Sequence, residues 1–172
     1  MNKICEGIYF MKGACNSYLI IGDGRSLLIN APDPLLADTL RKFPPIHHLI
    51  LTTRTCIEEA TKWRIMTDCT LVMHKNVDTG VQPGLYVHEG DGFEIEGDFL
   101  EVLQCPDSAE GELALLYHKH GILFSGEAVS HKRTVRVEGP NTLAYLKEKE
   151  FHILLPNKGT PLLEKAKEKL PK

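Results

Sequence analysis

Cys56 stands where a thiol could be made reactive. In the stretch LTTRTCIEEATKW, residues 51–63, it falls in the first turn of an expected helix, two positions after Arg54. The helix dipole and a guanidinium would both favour its thiolate, which makes Cys56 a candidate reactive thiol for redox sensing or thiol transfer. Against that, no histidine base lies nearby in the sequence, and Glu58 and Glu59 oppose a thiolate. A structural cysteine is therefore the favoured reading.

The eight histidines offer a second chemistry, metal ligation. His118 and His120 have His-x-His spacing, but they flank an expected hairpin turn, so solvated turn residues are the simpler reading. His47 and His48 point to opposite faces of a strand. His74 and His131 each follow an element whose end would lie near a crevice, and a polar rim accounts for both.

The balance of charge removes other classes. Twenty Lys and Arg against 23 Asp and Glu give a net charge of −3, so no positive field gathers nucleic acid or anionic lipid, and neither is expected as a partner. No stretch approaches the ~18–20 apolar residues of a membrane span, and the opening MNKICEGIYF lacks the apolar core of a secretory signal, so a cytoplasmic location is expected. Five cysteines, at 5, 15, 56, 69 and 105, are odd in number and show no CxxC spacing. Reduced, buried thiols are expected rather than a disulfide framework or a zinc knuckle.

The elements that must position these residues follow from periodicity. Residues 8–11, 17–21 and 26–29 read as short strands in an antiparallel meander, with GDGR at 22–25 as a hairpin turn. DPLLADTLRKF, 33–43, puts Leu35, Leu36, Leu40 and Phe43 on one helical stripe. IHHLILTT, 46–53, is a strand apolar enough to be covered on both faces, and with helix 56–66 and strand 69–74 it makes a parallel β-α-β unit. Strands are expected at 84–87, 93–95, 99–104, 113–118 and 122–125. Helix 141–149, strand 151–155 and an amphipathic helix at 161–170 close the chain. The class is α+β in one domain over 1–172, and a four-layer αββα sandwich would bury all these faces.

At this point the sequence resembles the metallo-β-lactamase superfamily over almost its full length. The family's opening hairpin is matched by NSYLIIGDGRSLLINAP, 16–32, and its LTHxHxDH falls on residues 51–58. Its PGHT falls on 106–109, LFSGD on 123–127 and PGHG on 156–159, all in the family's order. Family enzymes use these segments to hold zinc or iron, which activates water.

Here the ligand positions carry Thr53, Thr55, Ile57, Glu58, Ser108, Glu127 and Lys158. Zinc wants several nitrogen, sulfur or carboxylate donors at about 2.0–2.3 Å, neutral hydroxyls bind weakly, an isoleucine contributes nothing, and an ammonium repels a cation. No metal and no cofactor is expected, and the seven residues form a vestigial site. Thr55 and Glu58 fit a capping box for the following helix, with Ile57 filling volume. Lys158, with Arg54, would supply positive charge in the ion's place by pairing with Glu127 or Glu58. Cys105, beside Pro106, also falls close to that site, so a reactive pair with Cys56 can be drawn.

The function expected from this set is a pseudoenzyme with a binding, regulatory or assembly role toward an unidentified small molecule or protein, as a monomer or a homo-oligomer. The competing class is an enzyme: a hydrolase with an atypical metal set, or a thiol-dependent activity at Cys56.

Overall fold

The structure, a computed structural model, describes residues 1–77 and 79–172. The chain divides into two compact units, Met1–Tyr86 and Val87–Lys172.

The first unit is built on a seven-stranded sheet whose strands lie side by side in chain order: β1 (Asn2–Cys5), β2 (Ile8–Met11), β3 (Ser17–Gly22), β4 (Arg25–Ile29), β5 (Ile46–Ile50), β6 (Thr70–His74) and β7 (Leu85–Val87). The expected meander is present, with β3 and β4 joined by the two-residue turn Asp23–Gly24, where glycine supplies the positive φ. The expected β-α-β unit is also present: β4, β5 and β6 pair in parallel, and α2 (Ile57–Thr67) connects the last two. Strand β1 was not expected, because a four-residue edge strand, half exposed, carries too little alternation to read.

Register explains the core. Leu19 pairs with Leu28, Leu28 with Leu49 and Leu49 with Leu71, so four inaccessible leucines form a row across the sheet. Helix α2 lays Ala60 and Trp63 in the same apolar cluster. Trp63 is 1% exposed, and its indole N–H donates to the Pro32 carbonyl at 2.7 Å, which locks the helix to the loop after β4.

The helix expected over 33–43 is shorter than its stripe. Asp33 accepts from the Leu35 amide at 2.9 Å and starts a 3₁₀ turn, Pro34–Leu36, that runs into a single α-turn, α1 (Ala37–Leu40). Because a 3₁₀ turn holds three residues, it rotates Leu35 off the stripe. Leu36, Leu40 and Phe43 pack on the core, while Leu35 is 88% exposed.

The second unit carries a five-stranded sheet built from β8 (Gly92–Ile95), β9 (Asp98–Leu103), β10 (Ala114–Tyr117), β11 (Ile122–Phe124) and, after a two-stranded ribbon of β12 (Val129–His131) and β13 (Val135–Val137), β14 (Ile153–Leu155). Its order is β14-β11-β10-β9-β8, antiparallel except for the parallel pair β11 and β14. Leu116, Leu123 and Leu154 form its row, and α3 (Pro140–Glu148) covers them with Leu146.

The amphipathic helix expected over 161–170 is absent. Leu162 instead exchanges two backbone hydrogen bonds with Leu154 of β14, at 2.8 and 2.9 Å, which commits that stretch to extended backbone. Only a 3₁₀ turn at Lys167–Lys169 remains, and Ala166 and Leu170 are the side chains that enter the core. Among the described residues no helix is long and apolar enough to cross a membrane.

Trp63→Phe keeps the ring but orphans the Pro32 carbonyl, and chemical denaturation should show a loss of about 1–3 kcal/mol. Trp63→Ala, which also opens a cavity, should cost about 3–5 kcal/mol.

Candidate functional site

Parallel strands bring their carboxyl ends to one edge of their own sheet, and each unit, taken by itself, places residues of interest at such an edge. In the first unit, Asn30 follows β4, Thr52 and Thr53 follow β5, and His74 ends β6. Asn30 organises this edge. It adopts φ of 54°, a left-handed conformation that asparagine tolerates better than other side-chain-bearing residues, and it is 1% exposed. Its Oδ1 accepts from the Thr52 amide and the Thr52 hydroxyl, each at 3.0 Å. Its Nδ2 donates to the Asn16 carbonyl at 3.3 Å, and its backbone N–H donates to Ile50 at 2.9 Å. One buried amide thereby ties the start of β3, the end of β4 and the junction after β5. Sequence reasoning placed Asn30 in a matched segment without seeing this role; an asparagine directly after an apolar strand was the available signal.

The junction itself is a 3₁₀ turn, Arg54–Cys56, followed by α2. Thr53, 1% exposed, caps it by accepting from the Thr55 amide at 3.3 Å. The capping box expected from Thr55 and Glu58 does not form, because the 3₁₀ turn moves the cap upstream to Thr53. Ile57 packs against the core cluster as expected. Glu58 and Arg54 are exposed and, among the described residues, make no ion pair.

The largest departure concerns the cysteines. Cys15 and Cys56 are joined in a disulfide, their Cα atoms 6.6 Å apart, where reduced thiols were expected. The reason is tertiary: loop 12–16, between β2 and β3, lies beside the Arg54–Cys56 turn, although 41 residues separate the two sulfurs along the chain. Cys56, weighed as a candidate reactive thiol against the favoured structural cysteine, is a bonded sulfur. The pair drawn between Cys56 and Cys105 is not formed, and burial pushes the Cys105 thiol up to about 12, away from thiolate chemistry.

In the second unit the parallel pair β11 and β14 brings the turn 125–128 beside 157–158. Asn157 donates its backbone N–H to Gly126 at 3.1 Å and its Nδ2 to Glu127 Oε1 at 2.5 Å. The Lys158 ammonium stands 3.2 Å from Glu127 Oε2, so the ion pair expected from the sequence is present, and each carboxylate oxygen has a donor. Arg54 takes no part in it.

Ser108 lies in a turn closed by its amide to the Cys105 carbonyl at 3.1 Å, and its buried hydroxyl has no partner among the described residues. The neighbouring Asp107 accepts from the amides of Asn141 and Thr142, at 2.7 and 3.0 Å, and so caps α3. Those bonds hold its carboxyl below the ordinary value. Gly139 begins that helix at φ 80°, and a Cβ there would run into Asp107, so no side chain fits.

The histidines are engaged structurally. His74 is 2% exposed and accepts the Asn76 amide at Nδ1, 3.1 Å. His131 Nδ1 faces the Thr160 carbonyl at 2.8 Å, and a carbonyl only accepts, so that nitrogen carries the hydrogen. His118, exposed as expected, meets Glu101 at 2.8 Å.

The donors at these positions do not fit a catalytic metal. Among the described residues no three His, Cys, Asp or Glu side chains gather in a group that could hold an ion. The carboxylate best placed to ligate, Glu127, is engaged by an amide and an ammonium.

No family model matches this sequence. Solved structures do match. A metallo-β-lactamase from Pontibacter korlensis superposes with a TM-score of 0.77 at 14% identity, covering 98% of this chain and 97% of that one. The chain has the metallo-β-lactamase fold. BLEG-1 B3 metallo-β-lactamase gives a TM-score of 0.73 at 17% identity over 95% of this chain and 98% of its own. ETHE1 from Myxococcus xanthus gives 0.67 at 18% identity, covering 87% and 74%. The α+β class and the fold expected from the five matched segments are thus correct.

Two outcomes test this geometry. Asn30→Gly keeps the left-handed backbone but removes the amide, and denaturation should show a loss of about 2–4 kcal/mol; Asn30→Ala should lose about 1 kcal/mol more. Glu112 is held above the ordinary carboxylate value by burial, then by Glu127 and Glu138, with Lys158 opposing. A carboxyl whose folded pKa is raised stabilises the fold below its unfolded pKa and loses that contribution as pH rises through the folded pKa. Glu112→Gln should therefore raise the melting temperature by about 1–2 °C at neutral pH and change nothing near pH 4, as thermal scans at both values would show.

Proposed function

We propose that this chain is a non-catalytic protein on the metallo-β-lactamase fold, a pseudoenzyme with a binding, regulatory or assembly role. The observation that carries the reading is the Glu127 carboxylate, held by Asn157 on one oxygen and Lys158 on the other. A fixed ammonium there does part of what a cation would do for a nearby carboxylate, and its own positive charge opposes a divalent ion at the same place. At the other ligand positions, Thr53 spends its hydroxyl on the Thr55 amide, Ile57 spends its side chain on the core, and Glu58 faces solvent.

A binding role is supported by a pocket of about 240 Å³ in the first unit, where Leu40, Phe43, Pro44, Trp63 and Met66 line a mainly apolar surface with Arg41 and Thr67 beside them, a setting for a small, largely hydrophobic ligand.

Metal analysis of protein purified without chelator should find zinc, iron and manganese well below one ion per chain. Added zinc chloride should leave the melting temperature unchanged, because a ligand that does not bind the folded state gives no mass-action stabilisation. A stoichiometric ion that survives gel filtration, with a melting temperature that falls on chelation, would overturn the reading.

A further inference from the structure

We infer that Cys15 and Cys56 form a reversible dithiol–disulfide couple that exchanges with low-molecular-weight thiols at the junction ahead of α2. The inference goes beyond the non-catalytic reading, which concerns the metal-ligand positions, and it stands on the placement of the two sulfurs.

The two ends of the bond are not equivalent. Cys15 follows the exposed residues Lys12, Gly13 and Ala14 and keeps 8% of its surface, whereas Cys56 keeps 2%. A small thiolate therefore meets Cys15 first. Cys56 sits at the N-cap position of α2, an eleven-residue helix, with Arg54 in the same turn. The backbone amides of the first turn favour a thiolate there, with Arg54 adding to them and Glu58 and Glu59 opposing, and a stabilised thiolate is the better leaving group. The Thr55 hydroxyl lies 3.2 Å from Cys15 Sγ and 3.9 Å from Cys56 Sγ, placed to hydrogen-bond whichever sulfur becomes charged. The remaining thiols do not compete: burial raises Cys5, Cys69 and Cys105 and keeps them protonated.

The steps balance as follows. A thiolate RS⁻ attacks Cys15 Sγ, an S–S bond forms between R and Cys15, and the Cys15–Cys56 bond breaks with its electron pair leaving on Cys56 Sγ. A second RS⁻ attacks the mixed disulfide at the R sulfur, RSSR departs, and the Cys15 sulfur leaves as a thiolate. Two thiols are oxidised to one disulfide, the protein gains two electrons, and the two new thiolates take protons from water according to pH. The reverse sequence, started by RSSR, restores the bond.

The test uses the full-length protein in native buffer with glutathione, reduced to oxidised ratios spanning several decades, followed by acid quench, alkylation after unfolding and intact mass. Three alkylated cysteines are expected at the oxidising end and five at the reducing end, in one reversible two-thiol step with far-UV circular dichroism unchanged. A bond that resists excess thiol until denaturant is added is a structural staple, and that result overturns the inference. So does reduction that unfolds the chain, or a preparation in which five cysteines alkylate at every ratio.

The direction of attack has its own measurement. With oxidised glutathione, Cys56→Ser should form the mixed disulfide at least about tenfold faster than Cys15→Ser, because the cysteine that follows the exposed loop residues and is the less buried of the two remains only in the first. Equal or inverted rates would overturn the assignment of Cys15 as the attacked sulfur. If either variant fails to fold, the wild-type titration still decides whether the couple is reversible.

Discussion

The edge of the first sheet depends on one buried side-chain amide. Three segments meet where β3 begins and β4 and β5 end, and their backbone polar groups lie beyond the ladder that satisfies the strands. Burying such groups without partners costs roughly 1–3 kcal/mol each, so something must supply donors and acceptors. Asn30 does so with both ends of its carboxamide, and its left-handed backbone is what aims them. Covalent and hydrogen-bonding links within the chain draw these loops together, through Asn30 at the centre, Thr53 at the turn and the Cys15–Cys56 bond beside it.

The second unit solves a similar problem with charge. Glu127 and Lys158 lie on neighbouring turns only because β11 and β14 run parallel, so their loops leave on the same side. The pair is partly solvated, with Lys158 about half exposed, which makes it a modest contributor to stability. Its larger effect is electrostatic: it fills the acceptor positions of the carboxylate that most resembles a ligand.

The sequence made the fold legible where side-chain periodicity runs over several residues. The leucine-rich strands β3 to β6 and helix α2 followed from residue type and order, while the pairing of Lys158 with Glu127, one of two carboxylates considered, followed from the resemblance that set the two segments side by side. What failed was short or depended on tertiary partners. β12 (Val-Ser-His) and β13 (Val-Arg-Val), three residues each, lack the length to show alternation. The Lys- and Glu-rich run at 161–170 has helical amphipathicity, but the open edge of β14 captured its first residues as a bridge. Three hydroxyls, an isoleucine, two carboxylates and a lysine at the matched positions were legible as a donor set that suits a divalent ion poorly. The disulfide was not, because nothing in local spacing announces that residues 15 and 56 meet.

The Leu162–Leu154 bridge has one more implication. β14 is the outermost strand of its sheet, and an outermost strand presents unsatisfied amides and carbonyls to which any extended peptide can add. By folding its own last segment back onto Leu154, the chain covers the middle of that margin with Leu162, while Ala166 and Leu170 anchor the segment from within. An incoming strand, from another copy or from an unfolded neighbour, would first have to peel this self-made selvage away.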